Sequence, residues 1–285
     1  MRRFVDLHTH SKCSDGDLTP SELVGLAERK RLHAFALTDH DTAAGLAEAA
    51  AAAAATEVRF IPGIEISAVA AQGTFHLVGL GIDPAQESLK LTLESLRQWR
   101  SERNALMLAK LGQLGMPVSL EELEAFATRG KGGGSGLITR MHLARLLVKR
   151  GVVKTPREAF DRLIDPGKPA YVEKDRLSPA QAIAAVHAGG GAAILAHPAL
   201  LRLSSAAEYR TRIGHWRDQG LDGIEIYHPE HTIAQTRMFL DLAKSLGLLI
   251  SGGSDFHGWA KPDVHLGLPR VPVAAVRELL EKLAR

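Results

Sequence analysis

Histidines and carboxylates fall in short groups along this chain, beginning with His8-Thr9-His10 and, five residues on, Asp15. On a β-strand, residues i and i+2 point to the same side, so a His-x-His pair at a strand end can bite one metal ion. The preceding Arg3-Phe4-Val5-Asp6-Leu7 reads as a short buried strand, and Ser14-Asp15-Gly16 as the turn after it. Two nearby histidines are often plain polar surface. The same composition recurs, however, in Thr38-Asp39-His40-Asp41, Glu65, His76, His197 and Asp255-Phe256-His257. Imidazoles with carboxylates, and no thiolate cluster, suit divalent Mn, Fe or Zn rather than a structural zinc knot. The nine candidates are His8, His10, Asp15, His40, Glu65, His76, His197, Asp255 and His257. They are too many for one ion; at about four to six groups per ion with shared carboxylates, three ions fit. Glu65 is well suited to bridge, because each oxygen of a carboxylate can take an ion. Cys13, the single cysteine, excludes an intramolecular disulfide and reads as a small loop residue rather than a ligand.

Seven β-rich runs alternate with amphipathic helices: 4–7, 34–38, 59–67, 75–82, 192–196, 223–227 and 248–251. Helix starts are marked by Thr19-Pro20-Ser21-Glu22, Thr155-Pro156-Arg157-Glu158 and Ser178-Pro179-Ala180-Gln181, each with the partner of a capping box. Such alternation predicts a mainly parallel α/β barrel or wound sheet. His8, His10, His40, Glu65, His197, Asp255 and His257 then fall at or just after the carboxyl ends of their strands, the face where barrel enzymes keep their chemistry. His76 starts its strand instead. Only Ala68 to Thr74 separates that strand from the one before, too short for a helical crossover, so the two should form an antiparallel hairpin that returns His76 to the same face.

Between about Ser88 and Tyr171 the β signal vanishes and leucines recur at helical spacing, at 89, 93, 96, 106, 111 and 114, with another cap at Ser119 to Glu122. This predicts a helical insertion domain, 88–171, within a barrel domain made of 1–87 and 172–285. Gly130-Lys131-Gly132-Gly133-Gly134-Ser135-Gly136 lacks the Gly-Lys-Ser/Thr ending of a phosphate loop and reads as a flexible link.

Of the 285 residues, 45% are apolar and 24% charged, an ordinary globular composition. The alanine tract 49–55 is flanked by Glu48 and Glu57, which suits a helix on a sheet rather than a bilayer span. Met1-Arg2-Arg3 leads directly into a strand with no signal-peptide apolar region, so a cytoplasmic location with no membrane association is expected. The net charge of +3 tolerates anionic substrates without indicating a nucleic-acid surface.

Taken in order, His8-Thr9-His10, Ser14-Asp15-Gly16, Thr38-Asp39-His40-Asp41, Gly63-Ile64-Glu65, His76, Ala196-His197-Pro198 and Ser254-Asp255-Phe256-His257 resemble the PHP-domain (polymerase and histidinol phosphatase) phosphoesterases over nearly the whole chain. The resemblance implies an α/β fold, a distorted (β/α)7 barrel, with a trinuclear centre of divalent ions, manganese first and zinc or iron as alternatives. It implies that His8, His10, Glu65 and Asp255 hold one ion, Glu65, His76 and His197 a second, and Asp15, His40 and His257 a third. The insertion, with Thr139-Arg140-Met141-His142-Leu143-Ala144-Arg145 and Gly167-Lys168-Pro169-Ala170-Tyr171-Val172, resembles the branch that removes the 3′-phosphate of 3′,5′-bisphosphonucleotides and includes 5′-to-3′ exoribonucleases. That branch has Arg-Pro-His where this chain has Arg140-Met141-His142.

The expected enzyme is therefore a phosphoric monoester hydrolase whose substrate is a small nucleotide and, by extension, short RNA. The expected catalytic groups are Glu65 and Asp255, with His228 or His231 after the sixth strand protonating the leaving group or contacting substrate. Arg140 is the preferred phosphate clamp, since a guanidinium fork matches phosphate oxygens, with His142 as a further substrate contact. Asp39 could orient a ligand imidazole, and Asp41 or Thr42 could cap the next helix. His33, His187, His215 and His265 read as structural or exposed. Two alternatives remain: a histidinol-phosphate phosphatase, and a non-catalytic nucleic-acid or regulatory binding module.

Overall fold

The computed structural model describes residues 3–69, 71–127, 137–173 and 175–284. Eight strands form one sheet: β1 (Phe4–Asp6), β2 (Ala34–Leu37), β3 (Arg59–Ala68), β4 (Phe75–Leu80), β5 (Ala192–Leu195), β6 (Gly223–Tyr227), β7 (Leu249–Gly252) and β8 (Val271–Pro272), ordered β7-β6-β5-β4-β3-β2-β1-β8. The sheet curls until its ends meet: Leu7 N donates to Gly252 O (3.1 Å), Asp255 N to His8 O (2.9 Å) and His10 N to Phe256 O (2.9 Å). The seven expected strands are present. The two-residue β8, antiparallel to β1, was not expected; two residues carry no readable period.

Ten α-helices accompany the sheet: α1 (Pro20–Arg29), α2 (Leu46–Ala53), α3 (Glu87–Gln113), α4 (Leu120–Ala127), α5 (Arg140–Lys149), α6 (Pro156–Ala159), α7 (Pro179–Ala188), α8 (Ala206–Asp218), α9 (Ile233–Leu246) and α10 (Arg277–Lys282) among the described residues. Reciprocal capping boxes open α1 (Thr19 with Glu22) and α7 (Ser178 with Gln181). At α6 only half of the box forms: Thr155 accepts from Glu158 N, while the Glu158 carboxylate takes Lys154 N (2.8 Å) instead of the cap's own amide. Asp41 and Thr42 do not cap α2, whose N-cap is Gly45 without a side-chain bond.

Connection length dictates the strand directions. β1, β2 and β3 are mutually parallel, as are β5, β6 and β7, while β4 is antiparallel to both β3 and β5. The hairpin pairs His76 with Ser67, two residues past Glu65, and Ala196 N donates to His76 O (3.0 Å), so His76 and His197 lie at the same barrel end. Alternate strand residues divide between two apolar clusters. Phe35, Leu37, Leu195 and Ile224 pack with Leu23 of α1 and Phe239 of α9, whereas Val5, Ala34, Ala36 and Ile194 pack on one another and on Leu279 and Leu280 of α10.

A third cluster, including Met107, Leu111, Leu123, Leu147 and Ile164, joins the second half of α3 to α4, α5 and the π-helical stretch Phe160–Ile164. The first half of α3 belongs to the barrel core through Leu89 and Leu96. Thus one helix of 27 residues contributes to two separate apolar clusters. Leu106 on this helix and Leu114 at its C-cap, read as part of the helical apolar pattern, are exposed. The glycine-rich link 130–136 lies outside the described residues. No helix among the described residues is long and apolar enough to cross a membrane.

One close approach locks the barrel's seam. A Cβ on Gly253 would stand 2.5 Å from His8 N and 2.4 Å from His8 Cβ, so only glycine lets the loop after β7 press on β1. We expect Gly253→Ala to lose about 1–3 kcal/mol of stability, the usual cost of overpacking. Urea denaturation checks this, and an unchanged midpoint would mean that the seam is looser than drawn.

Candidate metal centre

Glu65, at the β3 end of the hairpin, is 1% exposed and sits among five imidazoles. Its Oε2 lies 2.9 Å from His40 Nδ1, 3.2 Å from His10 Nε2 and 3.4 Å from His8 Nε2. Its Oε1 lies 2.9 Å from His76 Nδ1 and 3.0 Å from His197 Nε2. Each oxygen therefore faces a separate group of nitrogens, the arrangement a bridging carboxylate needs. Asp255 Oδ1 faces His10 Nε2 (3.2 Å), His257 Nδ1 (3.4 Å) and His8 Nε2 (3.6 Å). Asp15 Oδ1 is 3.3 Å from His257 Nε2, and Asp15 Oδ2 is 4.0 Å from His40 Nε2. All nine expected ligands are thereby brought together.

Local sequence explains the convergence. β1 ends at Asp6, yet Thr9 still bridges Phe256, so His8 and His10 remain extended and aim to one side. Asp41, His197 and Asp255 take positive φ values of 50°, 27° and 55°, conformations costly for non-glycine residues that recur at functional sites.

Whether this donor set fits metal ions is tested by its unsatisfied atoms. His8 Nε2, His10 Nε2, Asp15 Oδ1, His40 Nδ1, Glu65 Oε2 and His197 Nδ1 are buried and make no hydrogen bond. Leaving so many polar atoms dry costs a protein about 1–3 kcal/mol each unless a ligand fills the space, and lone pairs of this kind fit divalent cations. Four sets of donor atoms lie within 4.8 Å of one another: His8, His10, Glu65 and Asp255; His10, Asp15, His40 and His257; His40, Glu65 and His76; and His8, Glu225 and His228. The fourth is better explained as support. Glu225 Oε1 accepts from His8 Nδ1 (3.0 Å) and Oε2 from His197 N (2.7 Å), so both oxygens are engaged and His8 Nε2 is left free to face Glu65.

The charges agree with a cation site. Burial alone would raise the Glu65 and Asp255 carboxyls; His40, His76 and His8 around Glu65, and Lys261, His257 and His8 around Asp255, reverse this and hold both well below the ordinary carboxylate range. Burial pulls His10 down, but the Asp255 and Glu65 carboxylates facing its Nε2 carry it up to about 9. Burial wins at His76 and His257, which fall to about 4. A proton on His10 must leave when an ion arrives, so metal uptake releases protons and weakens as pH falls below about 9.

The centre opens on a cavity of about 690 Å³, whose other walls come from the β3–β4 turn, α3, α5, residues between 160 and 173, Arg176 and Arg202. Arg100, Arg103 and Arg140 line it. Arg100 is ion-paired to Asp41, whose other oxygen accepts Ser67 N (3.0 Å). Arg140 Nη1 donates to Ile164 O (3.2 Å) and reaches Asp165 (3.4 Å), with its guanidinium over Phe160 and Tyr171. Arg103 is 5% exposed, yet among the described residues its side chain bonds only Asn104 (2.7 Å) and its Nε has no partner. Burial, with Arg100 and Arg140 nearby, pushes its pKa down to about 8.

Four expected roles are not met by the geometry. His231 Nδ1 bonds Ile226 O (2.9 Å) and its ring packs on Phe239, so it turns into the core rather than the cavity. His228 accepts Glu230 N at Nδ1 (3.1 Å) and points Nε2 at Asp255 Oδ2 (3.7 Å), from a buried position that does not line the cavity. His142 closes the capping box of α5 with Thr139 and is likewise absent from the cavity wall. Asp39 touches no imidazole; it takes Ser11 N (2.7 Å) and Ser14 Oγ (2.6 Å), and Ser14 Oγ in turn approaches His10 Nδ1 (3.4 Å).

Sequence reasoning missed Glu225, Arg100, Arg103 and Lys261. A charged residue inside the apolar strand Gly223-Ile224-Glu225-Ile226 was a readable signal for the first, and the i, i+3 arginines of α3 for the next two.

Residues 6–112 match the PHP domain. The chain is 36% identical to the 3′,5′-nucleoside bisphosphate phosphatase of Chromobacterium violaceum over 99% of its length and 98% of that protein's. It is 34% identical to the 5′-3′ exoribonuclease Rnm of Escherichia coli, covering 89% and 85%. A solved structure from Bifidobacterium adolescentis, provisionally described as a metal-dependent phosphoesterase, superposes with a TM-score of 0.86 at 32% identity, covering 98% and 96%. One from Chromobacterium violaceum, described as an amidohydrolase with bound sulfate and no metal, gives 0.84 at 37%, covering the same shares.

Glu65→Gln should abolish most turnover, whereas His187→Asn, on a ring paired with Asp222 (2.8 Å) outside the cluster, should leave it nearly unchanged. Glu225→Gln should weaken metal affinity about 10- to 100-fold while sparing the fold. Metal content by mass spectrometry with kinetics separates these; equal losses at Glu65 and His187 would mean the cluster is not the reacting centre.

Proposed function

Because the chain belongs to the PHP-domain family of metal-dependent phosphoesterases, we propose that it hydrolyses the 3′-phosphate of 3′,5′-bisphosphonucleotides in the cytoplasm, using three divalent ions, manganese by preference. The observation that carries the proposal is the shared cavity: one wall holds Asp15, His40, His76 and His257, and another holds the buried Arg103, which has no carboxylate partner among the described residues. A buried cation without a counterion is costly, and the natural remedy is an anionic ligand. A substrate with two phosphates satisfies both walls, presenting one to the ions and the other to the arginines.

Bound ions would supply Lewis acidity and a water acidic enough to attack near neutral pH. His8, His10, Glu65 and Asp255 would hold one, Glu65, His76 and His197 a second, and Asp15, His40 and His257 a third. The protein's own share is positioning: Glu225 fixes the His8 tautomer, Asp39 braces His10 through Ser14, and the arginines anchor the far end of the substrate so that binding energy holds the reacting phosphorus in place. The segment 88–171 acts as a substrate-side lobe. Histidinol phosphate offers a single phosphate attached to a cationic amine, which Arg100, Arg103 and Arg140 would repel. Short RNA is the natural extension, since Lys168, Arg176 and Arg202 on the cavity wall offer further phosphate contacts.

Arg103→Met tests the reading, with Arg140→Ala beside it. Each should lower kcat/KM for a 3′,5′-bisphosphonucleotide by the equivalent of about 2–3 kcal/mol, the size of a charge-assisted hydrogen bond, and barely affect a simple aryl phosphate. Arg103→Met should also leave stability unchanged or raised, because it removes an uncompensated buried charge. Equal losses on both substrates would sink the distal anchor.

A further inference from the structure

With His231 turned into the core and His228 buried behind Asp255, Lys261 is the lysine or arginine that both lines the cavity and pairs with a carboxylate of the centre, alone in this among the described residues. Its Nζ stands 2.5 Å from Asp255 Oδ2, the oxygen opposite the one facing His8, His10 and His257. The side chain remains about one-third exposed (35%), so the ammonium meets the carboxylate on one side and the cavity on the other. An ammonium has three N–H donors, and this one spends a single bond on Asp255.

The backbone fixes this position. After His257, Gly258 takes φ of 68°, close against Asp17, and Lys261 N returns to Gly258 O (3.1 Å). Asp17 Oδ2 accepts Ala260 N (3.0 Å), while its Oδ1 takes Arg145 of α5 (2.9 Å). The loop bearing Lys261 is thus tied both to the Asp15 loop and to the inserted lobe.

We propose that Lys261 is a catalytic residue that keeps one N–H on Asp255 and gives the others to a non-bridging oxygen of the reacting phosphate. A fixed charge placed where negative charge accumulates favours the transition state over the ground state. The proposal rests on the phosphoesterase reading but not on which nucleotide is the substrate.

The test compares wild type with K261M, K261Q and K261R, each loaded with Mn²⁺, by metal content, by affinity for inorganic phosphate in calorimetry, and by kcat on an aryl phosphate and a 3′,5′-bisphosphonucleotide. K261M and K261Q should keep the full metal complement, bind phosphate at least about tenfold more weakly and lose about 10²- to 10³-fold in kcat on both substrates, with K261R recovering part. Unchanged phosphate affinity and kcat would overturn the assignment. So would loss of an ion whose replacement at high Mn²⁺ restores full activity, because Lys261 would then serve only to hold Asp255. Phosphate binding is read without any nucleotide, so a wild type inactive on the bisphosphonucleotide would refute the substrate and leave the role of Lys261 to be decided by calorimetry.

Discussion

Five imidazoles crowd one buried carboxylate at Glu65, and the surrounding fold is organised to make that arrangement tolerable. Without a cation, inward-facing nitrogen lone pairs and carboxylate oxygens leave one another unsatisfied in a dry interior, a burden no apolar core would accept. The cluster is therefore stable only as a receptor for positive charge, whether protons or metal ions. Because the same atoms bind both, metal affinity and protonation are linked throughout the site. Asp255 shows the linkage most directly, with His8, His10 and His257 at one oxygen and the Lys261 ammonium, backed by His228, at the other.

Holding nine side chains in that geometry calls for rigid supports, and these are strand ends and close backbone contacts. The reversed strand β4 matters most. A seventh parallel strand in its place would have carried His76 to the far end of the barrel; the short hairpin turns it back beside His197. The seam between β1 and the loop after β7 does the same for His8 and Asp255, through Asp255 N to His8 O and the side-chain-free Gly253. Behind the ligands, Glu225 and Asp39 neutralise and orient what the ions would face from the front.

The inserted helices add a second electrostatic feature of opposite sign. α3 runs from the barrel core into the lobe's own core, so Arg100 and Arg103 are carried on an element anchored at both ends. Asp17 and Arg145 join the lobe to the loops of the centre. A pocket of imidazoles and carboxylates and an arginine-rich wall thereby share one cavity with little freedom to drift apart, which suits a ligand with phosphates at a fixed separation.

The sequence by itself determined which histidines and carboxylates would converge and the face they occupy. Ordered His, Asp and Glu groups at strand exits are legible because strand period and strand direction are local properties, and the seven-residue gap before His76 sufficed to reverse its strand. Helix starts were legible for the same reason, since capping depends on residues three apart. Only the tertiary structure decided what each neighbouring group does. Whether His142 faces substrate or closes its own helix, whether His228 and His231 reach the cavity, and whether Asp39 touches an imidazole directly depend on rotamers set by packing between distant segments. Arg103 and Lys261 escaped sequence reasoning because an arginine in a charged helix and a lysine in a loop look like solvated surface until the fold buries one without a counterion and brings the other onto Asp255, six residues away in sequence and in contact only through the turn at Gly258.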